Sequence, residues 1–272
     1  MTHPTPEGFE LFHPGSNASA VILVPGLCGS KMELGFIPKA LMESGHTVVV
    51  PIIQGYSAHT GLTNYQDWLE SLHQVALDLQ KNHSTISLVG MSLGATLALA
   101  VEAQFQNTDN LVALSPTLQL DGWAIPWYLP FLLLIYRLGF RNWFYHESPP
   151  YGVKNLQTRS VIENAVRGNH VSALGAARIR AKHLYQSILL MAWVKQNLSS
   201  IRSNVLVMHA MEDDTASTKN AYQVLDGIDS KIKRVVWLHD SYHMISVDNE
   251  METVAMTVNQ FINEMVDSAI KK

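Results

Sequence analysis

Residues 86–100 read ISLVGMSLGATLALA, and this stretch decides the fold. The apolar residues Ile86–Val89 predict a buried strand, and Ala95–Ala100 predict an apolar helix. Between them lies the pentapeptide Gly90-Met91-Ser92-Leu93-Gly94, in which a serine stands on a turn from strand to helix. Such a turn exposes the serine hydroxyl in a strained conformation, and the flanking glycines let strand and helix approach closely. The pattern therefore predicts Ser92 as a nucleophile.

Strand and helix patterns alternate on both sides of this stretch. Continuous apolar runs favour strands that are covered on both faces, as in a parallel sheet flanked by helices. We therefore expect an α/β fold built on a doubly wound, mostly parallel sheet. The predicted strands are Ala20–Val24, His46–Ile53, Ile86–Val89, Leu111–Leu114, Val205–Met208 and Val235–Leu238. The predicted helices are Met32–Ser44, Tyr65–Lys81, Leu93–Phe105, Thr218–Leu225 and Met251–Val266.

The alternation stops between residues 118 and 202, where the pattern is helical or irregular and predicts no strand. We predict a core of residues 1–117 and 203–272 and a helical cap of residues 118–202, inserted between two sheet strands. Ligands bind at the carboxyl edge of an open α/β sheet, and we expect the cap to lie over that edge. The expected substrate contacts are aromatic and apolar cap side chains, namely Trp123, Trp127, Phe131 and Leu132.

An uncharged stretch, Gly122–Tyr136, begins this insertion. It is shorter than the roughly 20 residues that a membrane-spanning helix needs. Pro126 and Pro130 also interrupt it. We interpret it as buried or interfacial, and three roles remain open: ordinary cap core, the lining of a lipophilic tunnel, or a lid that touches a membrane surface transiently.

Composition restricts the partners and the compartment. The 272 residues include 19 Lys and Arg against 23 Asp and Glu, for a net charge of −4. There is no basic stripe or nucleic-acid motif, so we expect no nucleic-acid partner. Cys28 is the single cysteine, which excludes an internal disulfide and is typical of a reducing compartment. The first seven residues lack the basic and apolar regions of a signal peptide, so we expect a cytoplasmic protein.

A base must accompany Ser92, because a serine hydroxyl is a poor nucleophile until a neighbouring group takes its proton. In folds with this turn the triad follows the order serine, acid, histidine. His243 lies just past the strand Val235–Leu238, on a loop that can reach the serine. His239 is the competing candidate, but its place at the end of the strand favours a structural role.

The acid is expected after the preceding strand. Val205–Met208 runs into His209-Ala210-Met211-Glu212-Asp213-Asp214. Either aspartate could accept the Nδ1 proton of the histidine and stabilise the imidazolium. The spacing from His209 selects Asp213, and Asp214 remains the alternative; a solvated acidic loop is the structural interpretation of the same run.

An oxyanion hole needs two backbone N–H donors. We expect one from the residue after the nucleophile, which we take to be Met91. We expect the other from Leu27, in the glycine-rich turn Pro25-Gly26-Leu27-Cys28-Gly29-Ser30 that follows the first predicted strand.

Several motifs in order resemble the bacterial carboxylesterase and monoacylglycerol-lipase branch of the α/β-hydrolases. They are the oxyanion loop Pro25–Gly29, the turn Pro51-Ile52-Ile53-Gln54-Gly55-Tyr56, the pair Asp67-Trp68, the Ser92 turn, the acid loop His209–Asp213 and the base loop Ser241-Tyr242-His243. The resemblance covers residues 20–116 and 204–266. Pro25 stands where the family usually has His, Ala210 stands where it usually has Gly, and the insertion is longer and more aromatic than the small cap of the nearest relatives.

The resemblance implies a serine hydrolase that cleaves carboxylic esters with an apolar acyl part, acting on a small ester or acyl substrate. It implies no metal and no organic cofactor. Thioester or amide hydrolysis by the same triad stays open. A non-catalytic ligand-binding protein on the same scaffold is the alternative from another class, and loss of a triad residue, its usual sign, is not seen here.

Overall fold

A seven-stranded sheet forms the centre of the protein in a computed structural model that describes residues 5–58, 60–146, 149–167 and 178–270. The strands are β1 (Phe9–His13), β2 (Ser19–Val24), β3 (Thr47–Pro51), β4 (Thr85–Met91), β5 (Asn110–Leu114), β6 (Phe144–His146), β7 (Arg178–Arg180), β8 (Asn204–Ala210) and β9 (Lys233–Leu238). The helices are α1 (Ile37–Glu43), α2 (Tyr65–Gln80), α3 (Leu93–Phe105), α4 (Leu129–Arg137), α5 (Leu156–Arg167), α6 (Ala181–Asn197), α7 (Lys219–Gly227) and α8 (Met251–Ile270).

The sheet has the strand order β1-β3-β2-β4-β5-β8-β9. All its pairs are parallel except β1 with β3. Helices α2, α3, α6 and α7 contribute to the apolar core on one face, and α1 and α8 contribute to the core on the other. The predicted α/β fold with a mostly parallel, doubly wound sheet is confirmed. All six strands expected from apolar runs are present within a few residues of their predicted bounds.

Three strands were missed. The edge strand β1 is only partly buried, so it carries no continuous apolar run. The three-residue strands β6 and β7 pair with each other inside the insertion that we expected to be free of strands. Strands this short have no readable periodicity, and their pairing depends on residues far apart in the chain.

The insertion between β5 and β8 contains α4, β6, α5, β7 and α6; its residues 147–148 and 168–177 lie outside the described residues. Helix α6 packs mainly on α3 of the core. Its residues Leu190, Met191 and Val194 belong to the same apolar cluster as the sheet. This packing favours a boundary between core and cap before α6, rather than the predicted one at residue 202. None of the helices in the described part of the chain is long and apolar enough to cross a membrane.

Candidate active site

Ser92 lies between the end of β4 and the start of α3 with a backbone φ of 57°, which few non-glycine residues adopt. The close packing of this turn requires glycine on both sides. A Cβ on Gly94 would lie 2.3 Å from the carbonyl oxygens of Val24 and Pro25, and one on Gly90 would lie 2.3 Å from the carbonyl oxygen of Gly94. The turn thus holds the Ser92 side chain at the carboxyl edge of the sheet.

Three side chains from separate loops meet at this edge. Nε2 of His243 lies 2.7 Å from Oγ of Ser92. Nδ1 of His243 lies 2.8 Å from Oδ2 and 3.0 Å from Oδ1 of Asp213. Asp213 follows β8 and His243 follows β9, so the parallel strands deliver both loops to the same edge. The sequence-predicted serine, histidine and aspartate are brought together in one hydrogen-bonded chain.

The charge on Asp213 determines the tautomer of His243. Burial raises the pKa of the Asp213 carboxyl, but the charges of His243 and His209 and the hydrogen bonds from the His243 ring and the Ala216 N–H together lower it more, so the pKa lies below its usual value. The backbone N–H groups of Thr215 and Ala216 also donate to Oδ1 of Asp213, at 2.9 and 2.8 Å. An ionised carboxylate only accepts hydrogen bonds, so Nδ1 of His243 carries the proton and Nε2 is left to accept one from the serine.

The rejected alternatives lie nearby but face other partners. His239 follows β9 directly and is exposed to solvent. Asp214 is buried, and its Oδ2 accepts the backbone N–H of Gly152 at 3.1 Å. Burial raises the pKa of Asp214.

His209 is a further neighbour of Asp213, a contact that the sequence did not reveal. Its Nε2 donates to the carbonyl of Ala216 at 2.9 Å and lies 3.4 Å from Oδ2 of Asp213. Burial lowers the pKa of this ring.

The turn after β2 lies directly against the nucleophile, since a Cβ on Gly26 would be 3.9 Å from the Cβ of Ser92. The amides on both sides of Leu27 are engaged. The N–H of Gly26 donates to Oε2 of the buried Glu33 at 2.8 Å, and the N–H of Cys28 donates to the carbonyl of Tyr56 at 3.1 Å. Leu27 itself is half-buried at this position.

Glu33 and Tyr56 hold this turn, and sequence reasoning assigned neither of them that role. The hydroxyl of Tyr56 donates to the carbonyl of Pro25 at 2.7 Å. A Cβ on Gly29 would lie 2.2 Å from the Glu33 carboxylate, so the turn closes tightly around that side chain. The hydroxyl of Ser246, three residues after His243, donates to the carbonyl of Glu33. The turn and the base loop are therefore joined.

The expected donor Met91 needs correction. Met91 is the last residue of β4, where it pairs with Leu114 of β5, and it precedes the nucleophile. Leu93 follows Ser92 and is the first residue of α3. The first N–H groups of a helix have no carbonyl partner within the helix, so they are available to an anion. Leu93, not Met91, has the position that an oxyanion donor requires.

A segment of the insertion lies on the base loop. The N–H of Met244 donates to the carbonyl of Gly152 at 2.7 Å. The N–H groups of Lys154 and Asn155 donate to the two carboxylate oxygens of Asp248, each at 2.7 Å. Asp248 is almost fully buried, and sequence reasoning missed it because its partners in the insertion are more than 90 residues away in the chain.

The four expected substrate contacts occupy different surroundings. Leu132 is half-buried in an apolar cluster that also includes Leu27 of the oxyanion turn. Trp127 lines an apolar cleft of about 490 Å³ between the start of the insertion and α6. Phe131 and Trp123 are 57 % and 62 % exposed. Trp123 packs edge-on against Tyr242, and its indole N–H donates to the carbonyl of Glu212 at 3.2 Å.

Comparison with known proteins agrees with this architecture. The chain is 24 % identical over 255 residues to a thermostable monoacylglycerol lipase of Bacillus sp. (strain H-257), covering 93 % of each chain. It is 22 % identical to a carboxylesterase of Bacillus subtilis (strain 168), over 90 % of this chain and 93 % of that one. The crystal structure of the Paleococcus ferrophilus monoacylglycerol lipase superposes with a TM-score of 0.77 at 18 % identity, covering 92 % of this chain and 96 % of that one.

A family model matches most of the chain, residues 15–250. This range includes Ser92, Asp213 and His243 as well as the whole insertion. The protein therefore belongs to the family described as serine aminopeptidase, S33 (Hydrolase_4), within the α/β-hydrolases, and is a lipase- or esterase-like hydrolase.

Proposed function

We propose that this protein hydrolyses carboxylic esters with an apolar acyl part, through an acyl-enzyme formed on Ser92. The observation that carries the proposal is the hydrogen-bonded chain from Asp213 through His243 to Ser92, with distances of 2.8 and 2.7 Å. A serine within hydrogen-bond reach of a base that a third group orients is the arrangement of nucleophilic catalysis. The names of the two bacterial relatives support an ester as the substrate.

In the proposed mechanism, Nε2 of His243 takes the hydroxyl proton as Oγ of Ser92 attacks the ester carbonyl. The N–H groups of Leu27 and Leu93 bind the oxyanion of the tetrahedral intermediate. The imidazolium, stabilised by Asp213, then gives the proton to the departing alcohol, which leaves the acyl-enzyme. Water enters, His243 takes its proton, and a second tetrahedral intermediate collapses to the free acid and Ser92.

The preference for an apolar acyl part rests on the surroundings of Leu27. Leu27 packs in one cluster with Leu120, Leu132 and Leu133 of the insertion. Leu120 and Leu133 also line the 490 Å³ cleft beside α6. An acyl chain bound to Ser92 would therefore find apolar surface on the oxyanion side of the site, where each buried methylene stabilises binding by about 0.8 kcal/mol.

The proposal is tested with p-nitrophenyl esters of increasing acyl length, together with a thioester and an anilide of the same acyl group. We expect ester turnover with an initial burst of p-nitrophenol, because the acyl-enzyme accumulates. Ser92→Ala should fold normally, lower kcat on the order of 10⁴–10⁶-fold and abolish labelling by a fluorophosphonate. Labelling that persists in this variant would place the nucleophile elsewhere. Faster turnover of the thioester or anilide would change the substrate class, and binding without turnover of any of them would make the protein a non-catalytic binder.

A further inference from the structure

Glu33 carries a buried carboxyl group beside the nucleophile that the triad does not use. It belongs to a single helical turn, Lys31–Leu34, which follows the oxyanion turn. A Cβ on Gly26 would lie 3.0 Å from Oε2 of Glu33 and 3.9 Å from Cβ of Ser92, so both side chains lie against Gly26. A buried carboxyl group needs polar partners. The partners of Glu33 indicate what it does there.

The peptide group between Pro25 and Gly26 is held at both ends. Its N–H donates to Oε2 of Glu33 at 2.8 Å, and its carbonyl accepts the hydroxyl of Tyr56 at 2.7 Å. Both hydrogen bonds are buried. Because a peptide group is planar, these two hydrogen bonds fix the orientation of the whole group.

The next peptide group, between Gly26 and Leu27, is fixed from one side only. Its carbonyl accepts the N–H of Gly29 at 2.9 Å, and the N–H of Cys28 further along donates to the carbonyl of Tyr56 at 3.1 Å. Within the described residues, the N–H of Leu27 donates to no acceptor. The N–H and the carbonyl of a trans peptide point in opposite directions, so the bond to the Gly26 carbonyl also sets the direction of the Leu27 N–H. The turn therefore leaves the Leu27 amide open to a ligand.

The backbone of Glu33 contacts the base loop. Its carbonyl accepts the hydroxyl of Ser246, three residues after His243. A Cβ on Gly35 would clash with the carbonyl of the same Ser246, so the two segments lie in close contact. Glu33 thus holds the oxyanion turn through its side chain and the base loop through its backbone. These are the two parts of the site whose separation must stay constant during a reaction at Ser92.

We propose that Glu33 is a positioning residue, which acts through the Gly26 peptide to orient the Leu27 N–H toward the oxyanion that forms at Ser92. The proposal rests on the proposed function, because that oxyanion arises when Ser92 attacks an ester. Without the acceptor, the Pro25–Gly26 peptide would be free to rotate and would turn the Leu27 N–H with it. The N–H of Gly26 requires an acceptor oxygen rather than a charge, so an amide oxygen at position 33 should replace the carboxylate.

The test compares two substitutions of Glu33, with rates on a p-nitrophenyl ester expressed per active site titrated with a fluorophosphonate. Glu33→Ala should lower kcat about 10- to 100-fold while KM stays within about twofold, because a displaced donor loses contact with the transition state. Glu33→Gln should stay within about threefold of the wild-type kcat, since its Oε1 can accept the Gly26 N–H. Tyr56→Phe removes only the hydroxyl at the other end of the same peptide and should lower kcat about 3- to 10-fold.

The matched control is Glu43→Ala. The Glu43 side chain is 67 % exposed on α1 and lies 3.7 Å from Nζ of Lys39. An exposed pair of this kind contributes little, so kcat should stay within about twofold of the wild-type value.

An alkyl trifluoromethyl ketone gives a second measurement, because it adds to Ser92 as a hemiketal whose oxyanion occupies the same position as that of the intermediate. Its inhibition constant should rise in Glu33→Ala by the factor by which kcat/KM falls, and Glu33→Gln should restore it. A loss of folded protein would change neither value per active site.

Three results would overturn the positioning role. They are normal kcat and ketone inhibition in Glu33→Ala, a loss confined to KM, and a Glu33→Gln protein as damaged as Glu33→Ala. Wild-type protein that binds the ketone but hydrolyses no ester would refute the proposed function instead. Weaker ketone binding by Glu33→Ala than by Glu33→Gln would then still support the positioning role.

Discussion

The carboxylate of Asp248 accepts a hydrogen bond from the backbone N–H of Tyr242, the residue before His243, at 2.8 Å. The same carboxylate accepts the N–H groups of Lys154 and Asn155, each at 2.7 Å. It thus ties the base loop to a segment of the insertion that lies on that loop. We interpret Asp248 as a positioning residue for His243.

Replacing Asp248 with alanine should lower both activity and stability. The N–H groups of Tyr242, Lys154 and Asn155, all partly buried, would lose their acceptor, at a cost of up to about 1–3 kcal/mol for each one left unsatisfied. A small displacement of His243 should lower kcat about 10- to 100-fold, while KM changes little. The fluorophosphonate reaction rate should fall by the same factor as kcat, which a loss of folded protein alone would not produce once the rate is expressed per active site.

The control for this variant is Asn249→Ala. Asn249 is exposed, and its Oδ1 accepts a hydrogen bond from Nδ2 of Asn155 at 2.8 Å. We expect it to keep activity within about twofold, because surface changes of this kind have small effects. An Asp248→Ala protein with normal kcat and normal fluorophosphonate reactivity would show that Asp248 has no part in positioning His243.

The two histidines near the end of β9 should behave very differently. His243→Ala should lower kcat nearly as much as Ser92→Ala, because members of a triad act as a unit. His239→Ala should keep activity within about threefold, because His239 is exposed and follows the strand directly. Steady-state kinetics on one ester checks both variants, and the reverse pattern would move the base to His239.

Replacing Asp213 or its neighbour Asp214 with asparagine should change Tm in opposite directions at neutral to alkaline pH. The folded-state pKa of Asp213 is lowered, so its ionised form stabilises the protein above the unfolded pKa, and this contribution is lost as the pH falls through the folded pKa. Burial raises the pKa of Asp214, so its ionised form costs stability at neutral pH. Asp214→Asn should therefore raise Tm at pH 8, with a gain that shrinks as the pH falls through the raised pKa. Asp213→Asn should lower Tm at pH 8, with a loss that shrinks toward acid.

Thermal melts between about pH 2 and 8 check these signs, because the contribution of Asp213 is lost only below its unfolded pKa, and activity at pH 8 separates the roles. Asp214→Asn should keep most activity, because an asparagine carbonyl can still accept the N–H of Gly152. Asp213→Asn should lower kcat about 10²–10⁴-fold, because an amide cannot stabilise the imidazolium. Equal damage from both changes would contradict the assignment of Asp213 as the acid.

Adjacent leucines of α4 test the acyl pocket. Leu133 faces the cluster with Leu27, whereas Leu134 is 53 % exposed on the outer side. In the wild-type protein kcat/KM should rise from acetate to medium-chain esters by up to about fourfold for each methylene, then level off. Leu133→Asp should flatten that rise with little loss on acetate, and so should a charge at Leu132. Leu134→Asp should leave the profile of dissolved esters unchanged. A flat profile in the wild-type protein would leave these leucines as cap core.

Local patterns were sufficient for most of the fold. The apolar runs that became β2, β4, β5 and β8 are covered on both faces, so each carries its signal within a few consecutive residues. Helix α3 was predicted with its observed bounds, Leu93–Phe105. The edge strand β1 and the pair β6 and β7 were missed because they are short or partly exposed. Their existence depends on partners elsewhere in the chain.

The sequence by itself determined the Ser92 turn and the chain order serine, aspartate, histidine, because glycine spacing and strand ends are local features. The sequence was also sufficient to identify Leu93, rather than Met91, as the oxyanion donor next to the nucleophile, because Leu93 follows Ser92 and begins the helix. Only the tertiary structure decided that Asp248 joins the base loop to the insertion, where it accepts the N–H groups of Lys154 and Asn155. The physical reason is that a hydrogen bond between distant segments leaves no periodicity in the sequence. The face that α4 exposes was decided in the same way, because an all-apolar helix does not indicate which side will be buried.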